Sequence, residues 1–360
     1  MHAALDKDGM ITCHETASQP AWRRALERAI TDPETLLDCL QLDRALLPAA
    51  RRATAAFGLR VPRGFVERMR PGDPLDPLLL QVLPLVEELD EIDGYVADPV
   101  GDRAAEADRG TLRKYQGRVL LIAGGACAVN CRYCFRREFP YAGHVAATGG
   151  WAGALKLIAA DPSITEVIVS GGDPLMLSDS VLSRLTDGLQ DIPHVLRFRI
   201  HTRLPIVLPE RIDAGLCDWL ASLPWPVSVV VHANHPREIN AEVIHAFQRM
   251  RQAGAILLNQ SVLLKRVNDD ADVLATLSHT LFAAGVLPYY LHMLDRVSGA
   301  AHFDIPETRA LDIIDSLTAR LPGYLVPRLV REVPGANSKT ALGPISGNGT
   351  PEAVPLRRPM

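Results

Sequence analysis

The sequence is poor in long hydrophobic runs, in charge of one sign and in lysine. No apolar stretch reaches the roughly 18 residues that a membrane-spanning helix requires. The first residues, Met1–Asp8, include acidic side chains where a secretory signal is basic and then apolar. The formal net charge of −4 at pH 7 gives no general attraction to nucleic acid. We therefore expect a cytoplasmic protein that binds neither membranes nor nucleic acid.

The remaining composition is that of a globular protein. Hydrophobic residues make up 48% of the 360 residues and charged residues 22%, and these ordinary values argue against disorder. A chain of this length buries a sizeable core, either as one large α/β domain or as a barrel with an attached smaller domain.

Cysteine is scarce and unevenly spread. Three of the six cysteines fall within the eight residues Cys127–Cys134, which is unlike a disulfide framework and typical of a metal site. The other three, Cys13, Cys39 and Cys217, are isolated. We expect them to be ordinary buried thiols, because free cysteine behaves as a small hydrophobe.

The hydrophobic pattern divides the chain into three parts. From Trp22 to about Leu89, apolar residues recur at helical spacing between prolines, which predicts a helical extension that leads into a polar linker. We place this extension and linker in residues 1–110, an α/β barrel in 111–322, and a short C-terminal segment in 323–360.

Six β-rich runs alternate with six amphipathic stretches after residue 118. This alternation predicts a parallel sheet, and six units favour a partial (βα)6 barrel with functional residues at the C-terminal ends of its strands. The predicted strands are Val119–Ala123, Glu166–Ser170, Leu196–His201, Val227–His232, Ala255–Leu263 and Val286–His292. The predicted helices are Ala152–Ala160, Ser178–Leu189, Pro209–Leu220, Glu238–Gln252, Ala271–Ala284 and Glu307–Leu321.

Cys127, Cys131 and Cys134 follow the first predicted strand at the spacing C-x3-C-x2-C. Three thiolates can hold three irons of a [4Fe-4S] cluster, which leaves the fourth iron for the amino and carboxylate groups of a methionine moiety. A structural zinc site is an alternative; it requires a fourth ligand, for which His144 is available. The pattern resembles the signature of the radical S-adenosylmethionine enzymes, which implies their partial barrel, their cluster and S-adenosylmethionine.

Gly171, Gly172 and Asp173 end the second predicted strand. Two glycines permit positive φ and the close approach of backbone to a ligand, although the same residues also form simple turns. One β/α unit after the cysteines, they resemble the segment that holds the amino group of S-adenosylmethionine in that superfamily.

Lys339 lies in a late loop of small residues, Val333–Thr340. Only five of the 38 basic residues of the chain are lysine, and a lysine amine, unlike a guanidinium, can condense with an aldehyde cofactor. Taken alone, Lys339 is more simply interpreted as a solvated surface lysine.

From about Thr111 to Thr340 the chain resembles the lysine 2,3-aminomutase family of radical S-adenosylmethionine enzymes. The resemblance implies an isomerase that uses pyridoxal phosphate together with the cluster and S-adenosylmethionine. The matching segments are the cysteine motif, Gly171–Asp173, Arg199–Arg203, His232–Pro236, Leu258–Leu264, Pro288–Tyr290 and His302–Phe303.

This resemblance assigns the pyridoxal phosphate site. It implies that Lys339 carries the cofactor covalently and that Tyr115, Arg118 and Gln260 contact its phosphate and ring. Tyr115 and Arg118 have an alternative role, in which they only pack the start of the barrel.

The resemblance also assigns a lysine site. It implies that Arg136 binds the substrate carboxylate and that Asp295 and Glu332 receive the ε-ammonium, because an unpaired buried charge is costly. The alternative for both acids is a surface or interdomain ion pair. Glu332 stands where the fermentative members of the family have aspartate.

Within the family, Phe135–Tyr141 and Tyr290–Asp295 resemble a short bacterial branch that supplies β-lysine for the modification of elongation factor P. This implies links to elongation factor P and its lysyl-transferring ligase, an electron donor such as flavodoxin or ferredoxin, and a homo-oligomer. The chain ends 21 residues after Lys339 and has Asp270 where the fermentative enzymes have a zinc-binding cysteine. We therefore expect no structural zinc.

Three functions follow from these patterns. The first is an L-lysine 2,3-aminomutase, and the second is a related aminomutase that acts on glutamate or another amino acid. The third is a non-catalytic metal-binding or scaffolding protein that keeps the fold.

Overall fold

The computed structural model describes residues 19–343, together with the backbone of two short strands that pair antiparallel, β1 (Ala4–Leu5) and β2 (Ile11–Thr12). Cys13 and residues 344–360 of the predicted C-terminal segment lie outside the described residues. None of the helices in the described part has both the length and the apolar character needed to cross a bilayer.

The described part of the N-terminal extension contains four short α-helices: α1 (Ala21–Glu27), α2 (Pro33–Cys39), α3 (Leu47–Ala56) and α4 (Arg63–Val66). The predicted helical pattern is wrong beyond residue 66, where turns lead to a 3-10 helix at Val86–Leu89. The reason is the series of prolines at 71, 74 and 77, because proline lacks the N–H that a helix interior requires.

Ten strands form one open sheet in the order β12-β11-β10-β9-β8-β7-β6-β5-β4-β3. Neighbours from β5 to β11 are parallel, whereas β3, β4 and β12 are antiparallel additions at the two ends. The strands are β3 (Glu106–Asp108), β4 (Thr111–Leu112), β5 (Arg118–Gly124), β6 (Glu166–Gly171), β7 (Arg197–Thr202), β8 (Val227–His232), β9 (Ile256–Val262), β10 (Leu287–His292), β11 (Arg328–Arg331) and β12 (Thr340–Ala341).

Helices connect successive parallel strands, and the predicted partial α/β barrel is confirmed. Two predicted helices start late. α8 begins at Ala214, because Asp213 caps it by accepting a hydrogen bond from the Leu216 N–H (3.0 Å). α9 begins at Ala241, because Asn240 caps it by accepting a hydrogen bond from the Val243 N–H (3.1 Å). The helices are α5 (Ala152–Ala160), α6 (Asp179–Gln190), α7 (Leu204–Val207), α8 (Ala214–Ser222), α9 (Ala241–Gln252), α10 (Ala271–Ala283) and α11 (Glu307–Arg320).

The sheet continues past both positions at which we divided the sequence. β3 lies before residue 110, and β11 and β12 lie after residue 322. The loop between β11 and β12 carries Lys339, so pairing of β11 with β10 brings this loop beside the barrel strands. The division into 1–110, 111–322 and 323–360 stays a prediction.

The core lies between the parallel strands and their helices. Val167, Val169, Val229 and Val231 on the central strands are completely buried, as expected where helices cover one face of a parallel sheet and the barrel interior lies on the other. The expectation of a buried thiol is wrong for Cys39, which is exposed at the end of α2.

Cys217 on α8 is partly buried against the core and therefore meets the same expectation only in part.

Candidate active site

The cysteine loop follows β5 and is held by the N-terminal extension. The Asn130 N–H donates to the Arg60 carbonyl, and the Arg132 N–H donates to the Gln81 carbonyl, each at 2.9 Å. The Arg132 side chain is fully buried and donates two hydrogen bonds to Glu88, at 2.8 and 2.5 Å. Backbone and side chain thus anchor the loop independently of its sulfur atoms.

Cys127, Cys131 and Cys134 are free, partly buried thiols in this loop. Burial raises the pKa of Cys127 well above its usual value and that of Cys134 to about 11, and the neighbouring sulfurs add to both shifts. Burial therefore disfavours the thiolate form, which a bound metal cation would stabilise.

Among the described residues, no three His, Cys, Asp or Glu side chains converge on a position for a single metal ion. In a [4Fe-4S] cluster each thiolate binds a different iron. His144, the fourth ligand in the zinc alternative, instead contacts Glu106 through Nδ1 at 2.6 Å.

Gly171 and Gly172 pack directly on the backbone that leads to Cys127. Gly171 has a φ of +113°, and a Cβ atom there would lie 2.9 Å from the Gly124 carbonyl oxygen. A Cβ atom on Gly172 would lie 2.6 Å from the Ala126 carbonyl oxygen. Only glycine fits at these two positions, because the backbone of residues 122–126 packs directly against them.

Asp173, predicted to bind the cofactor, makes hydrogen bonds within the protein. Its carboxylate accepts from the Thr202 hydroxyl and the Arg203 N–H, both at 2.7 Å, and from the Leu204 N–H at 3.2 Å. Burial raises the pKa of Asp173 to about 6 despite these bonds. The carboxylate therefore joins the end of β6 to the turn after β7.

Three histidines that we did not predict as site residues lie on the barrel strands: His201 on β7, His232 on β8 and His292 on β10. Burial lowers the pKa of all three, that of His232 to about 3, so the rings are neutral. The Nε2 atoms of His201 and His292 are buried without a partner among the described residues. Orphaned polar atoms in a barrel interior fit a bound polar ligand.

Lys339 lies in a cluster with three of the predicted residues. Its ammonium pairs with the Glu332 carboxylate, which also accepts a hydrogen bond from the Tyr115 hydroxyl at 2.5 Å. The Arg118 guanidinium lies 5.3 Å from the centre of the Tyr115 ring. Burial acts to raise the pKa of Glu332, but Lys339 and the two hydrogen bonds hold it below its usual value.

Arg136 is joined to this cluster through two residues that sequence analysis missed. Its Nε donates to Asp102 at 2.6 Å, and Asp102 pairs with Lys114 at 2.6 Å. Lys114 in turn lies 3.6 Å from Glu332. Arg136, Asp102, Lys114, Glu332 and Lys339 thus form a line of alternating charge from the cysteine loop to the β11–β12 loop.

Asp295, after β10, is the predicted acid without a partner. It is half-buried, and its carboxylate makes no hydrogen bond or ion pair with the described residues. Burial raises its pKa to about 7; Lys339 opposes this rise and Glu332 adds to it. Asp295 and Glu332 both line a cavity of about 650 Å³.

Gln260 lies on β9, in register with His232 on β8 and with Tyr290 on β10. The Tyr290 ring is in turn 6.0 Å from the Lys339 ammonium. The structure therefore brings Gln260 to the strands that border the Lys339 cluster.

Comparison with known proteins identifies the family. No family model matches the chain. The chain is 47% identical over 328 residues to the L-lysine 2,3-aminomutase of Escherichia coli strain K12, which covers 91% of this chain and 96% of that protein. It is also 47% identical to the L-lysine 2,3-aminomutase of Haemophilus influenzae, over 89% of this chain and 94% of that protein.

Among solved structures, a radical SAM methyltransferase from Sphaerobacter thermophilus aligns with 61% of this chain and 68% of its own, with a TM-score of 0.45 and 20% identity.

The chain therefore belongs to the L-lysine 2,3-aminomutase family, as the motifs predicted. These enzymes are isomerases of the radical S-adenosylmethionine class, and membership implies a [4Fe-4S] cluster and S-adenosylmethionine. The loop of three free thiols fits the cluster, and the buried Nε2 atoms of His201 and His292, which lack a partner among the described residues, fit a polar ligand in the barrel.

Proposed function

We propose that this protein is a pyridoxal phosphate-dependent L-lysine 2,3-aminomutase that forms β-lysine in the cytoplasm for the modification of elongation factor P. The observation that carries the proposal is the Asp295 carboxylate, which has no partner among the described residues and lines a cavity together with Glu332. Asp295 and Glu332 at one end of a site suit a substrate whose side chain ends in an ammonium group. The names of the relatives agree with this choice of substrate.

The proposal assigns each cofactor to a set of residues. Cys127, Cys131 and Cys134 would hold the cluster, and the backbone of Gly171 and Gly172 would face S-adenosylmethionine. Lys339 would hold pyridoxal phosphate, beside Tyr115, Arg118 and Gln260. When bound, these groups supply the one-electron chemistry that breaks an unactivated C–H bond and the conjugated system across which the amino group moves.

In this proposal, the protein itself positions charged side chains that bind the substrate. Arg136 is buried and fixed by Asp102 and by the Ser170 hydroxyl, which is 3.2 Å from its Nη1. It is therefore a rigid cation for the substrate carboxylate.

Two cations are partners for Glu332 in this proposal: the Lys339 ammonium and the ε-ammonium of the substrate. In the ligand-free protein its carboxylate neutralises Lys339. Together with Asp295, Glu332 would also pair with the ε-ammonium of a bound lysine. A glutamate side chain would instead be repelled by both acids.

The test is an assay of amino acids one at a time. The protein is purified without oxygen, supplied with iron, sulfide, S-adenosylmethionine, pyridoxal phosphate and a chemical reductant, and the products are identified by mass spectrometry and NMR. We expect conversion of L-lysine to β-lysine. Turnover of glutamate without turnover of lysine would establish the related aminomutase instead.

Further assays address the partners that we propose. β-Lysine made in the assay should be attached to elongation factor P when the factor and its lysyl-transferring ligase are added. Reduced flavodoxin or ferredoxin should replace the chemical reductant, and light scattering should show a homo-oligomer.

The affinity for lysine should depend on the ionisation of Asp295. Its pKa is raised from 3.8 to about 7, whereas a lysine ε-ammonium, with a pKa of about 10.4, stays charged well above pH 7. As the pH rises from 6 to 8 the carboxylate therefore ionises and kcat/KM for lysine should rise. In Asp295→Asn this rise should be lost, and kcat/KM at pH 8 should fall roughly 10- to 100-fold.

Thermal stability gives an independent check on the pKa of Asp295. Its expected pH dependence is opposite to that of kcat/KM, because stability should fall as the pH rises. A carboxyl whose folded pKa is raised contributes stability at low pH that is lost as the pH rises from about 4 through about 7. Asp295→Asn should therefore unfold at the same or a higher temperature than the parent at pH 8, without ligands. Glu307→Gln, at the exposed rim of the same cavity, is the matched control and should keep the pH dependence. An unchanged pH profile in Asp295→Asn would place the ammonium site elsewhere.

A further inference from the structure

Arg203 makes a direct contact with one of the cluster cysteines. It follows β7 and is buried, and its Nη1 donates to the Cys131 Sγ at 2.7 Å. Its Nη2 donates to the Gln81 Oε1 at 2.6 Å and to the Glu238 Oε2 at 3.0 Å. The guanidinium therefore cannot turn from the sulfur without breaking two other hydrogen bonds.

Glu238 is fully buried and fixed in the turn after β8. Its Oε1 accepts from the N–H groups of Asn234 (2.8 Å) and His235 (3.0 Å). Burial acts to raise the pKa of Glu238, but Arg203 and these hydrogen bonds hold it below its usual value. Glu238 is therefore the ionised counter-charge of Arg203.

Gln81 brings the N-terminal extension into the same network. Its carbonyl oxygen accepts from Arg203, and its amide nitrogen donates to Glu238 at 3.1 Å. Its backbone carbonyl accepts a hydrogen bond from the N–H of Arg132, the residue after Cys131. The N-terminal extension, the turn after β8 and the cysteine loop thus together fix the Arg203 guanidinium against the Cys131 sulfur.

We propose that Arg203 is a positioning residue that raises the reduction potential of the cluster bound through Cys131, and that Glu238 limits this rise. The proposal rests on the assignment of Cys131 as a cluster ligand. Reduction adds one negative charge to the cluster, so a nearby cation that donates to a ligand sulfur stabilises the reduced form more than the oxidised form. A carboxylate behind that cation cancels part of its effect.

The two residues should therefore shift the potential in opposite directions. In Arg203→Gln the cation is lost and the cluster should become harder to reduce; in Glu238→Gln the cation is left uncompensated and the cluster should become easier to reduce. We expect at least a tenfold change in the ratio of reduced to oxidised cluster at a fixed potential, which is about 59 mV for a one-electron couple. A role in folding alone would not give opposite signs.

The measurement is a redox titration of the reconstituted full-length protein, followed by the EPR signal of the reduced cluster, without lysine. Arg203→Lys, which keeps the charge but loses the planar fork, should shift the potential less than Arg203→Gln. The matched control is Arg237→Lys: Arg237 is near Glu238 in sequence, but its guanidinium pairs with Asp76 at 2.6 Å and contacts the Arg68 carbonyl at 2.7 Å. It should leave the potential unchanged.

The outcomes separate this inference from the proposed function. If the parent protein binds no iron, the cluster assignment itself fails. If the parent and variants bind iron equally and Arg203→Gln and Glu238→Gln share the parent's potential, the inference is overturned while the aminomutase proposal stands. If Arg203→Gln fails to fold, Glu238→Gln and Arg203→Lys still test the inference. Reduction potentials equal to the parent's in both of these variants would overturn it.

Discussion

Cys131→Ala should lose its bound iron and its ability to cleave S-adenosylmethionine while keeping its fold. With one of three thiolates removed, the remaining two cannot hold the cluster with its open iron in place. The loop should stay folded, because Asn130 and Arg132 anchor it through bonds that do not involve sulfur. We expect cleavage to fall to the level without enzyme, a loss of at least roughly 100-fold.

The measurement is iron and sulfide content, the brown colour of the cluster, and 5′-deoxyadenosine formed after anaerobic reduction. Cys127→Ala and Cys134→Ala should behave alike. Cys217→Ala on α8 is the control and should keep both iron and cleavage. Full iron and full cleavage in Cys131→Ala would exclude the cluster site, and absence of a cluster from the parent would favour the non-catalytic alternative.

Lys339→Arg should lose both aminomutase turnover and covalently trapped cofactor. Arginine keeps the positive charge that pairs with Glu332, so the local structure should persist, but a guanidinium does not condense with an aldehyde. After borohydride treatment, we expect no pyridoxyl label on the variant. Lysine turnover should fall by at least roughly 1,000-fold, whereas the iron content should not change.

Lys114→Arg provides the matched control for this prediction. Its amine also lies near Glu332, at 3.6 Å, and is therefore the alternative position for the label. Peptide mapping should find the label on residue 339 in the parent and in Lys114→Arg. A label that persists in Lys339→Arg and maps to residue 114 would show that the assignment of Lys339 is wrong.

The centre of the barrel could be predicted from the sequence because β6 and β8 are buried along most of their length. Such strands appear as distinct runs of β-branched residues, and Val227–His232 was predicted to the residue. The four end strands of this sheet could not be predicted in the same way. β3, β4, β11 and β12 have only two to four residues each, too few to show an alternating pattern.

Residues of the candidate site could be predicted only where a local motif or the family resemblance marks them. The three cysteines and the two glycines are motifs of this kind. Asp102 lies in the predicted linker and Lys114 just before the first predicted strand. Their role depends on partners elsewhere in the chain: Arg136 for Asp102 and Glu332 for Lys114. The alternation of His201 with buried Phe198 and Ile200 on β7 was a signal that could have indicated an interior histidine.

The open sheet has two edges, and the shape of those edges matters for the protein at high concentration. A long parallel strand at an edge would offer a row of unpaired N–H and C=O groups to the same strand of another copy. Here the outermost strands of the sheet are β3, with three residues, and β12, with two. β3 also carries Glu106 and Asp108, whose charges repel a like strand. The strand pair that carries the Lys339 loop thus also blocks one route to fibrous aggregation.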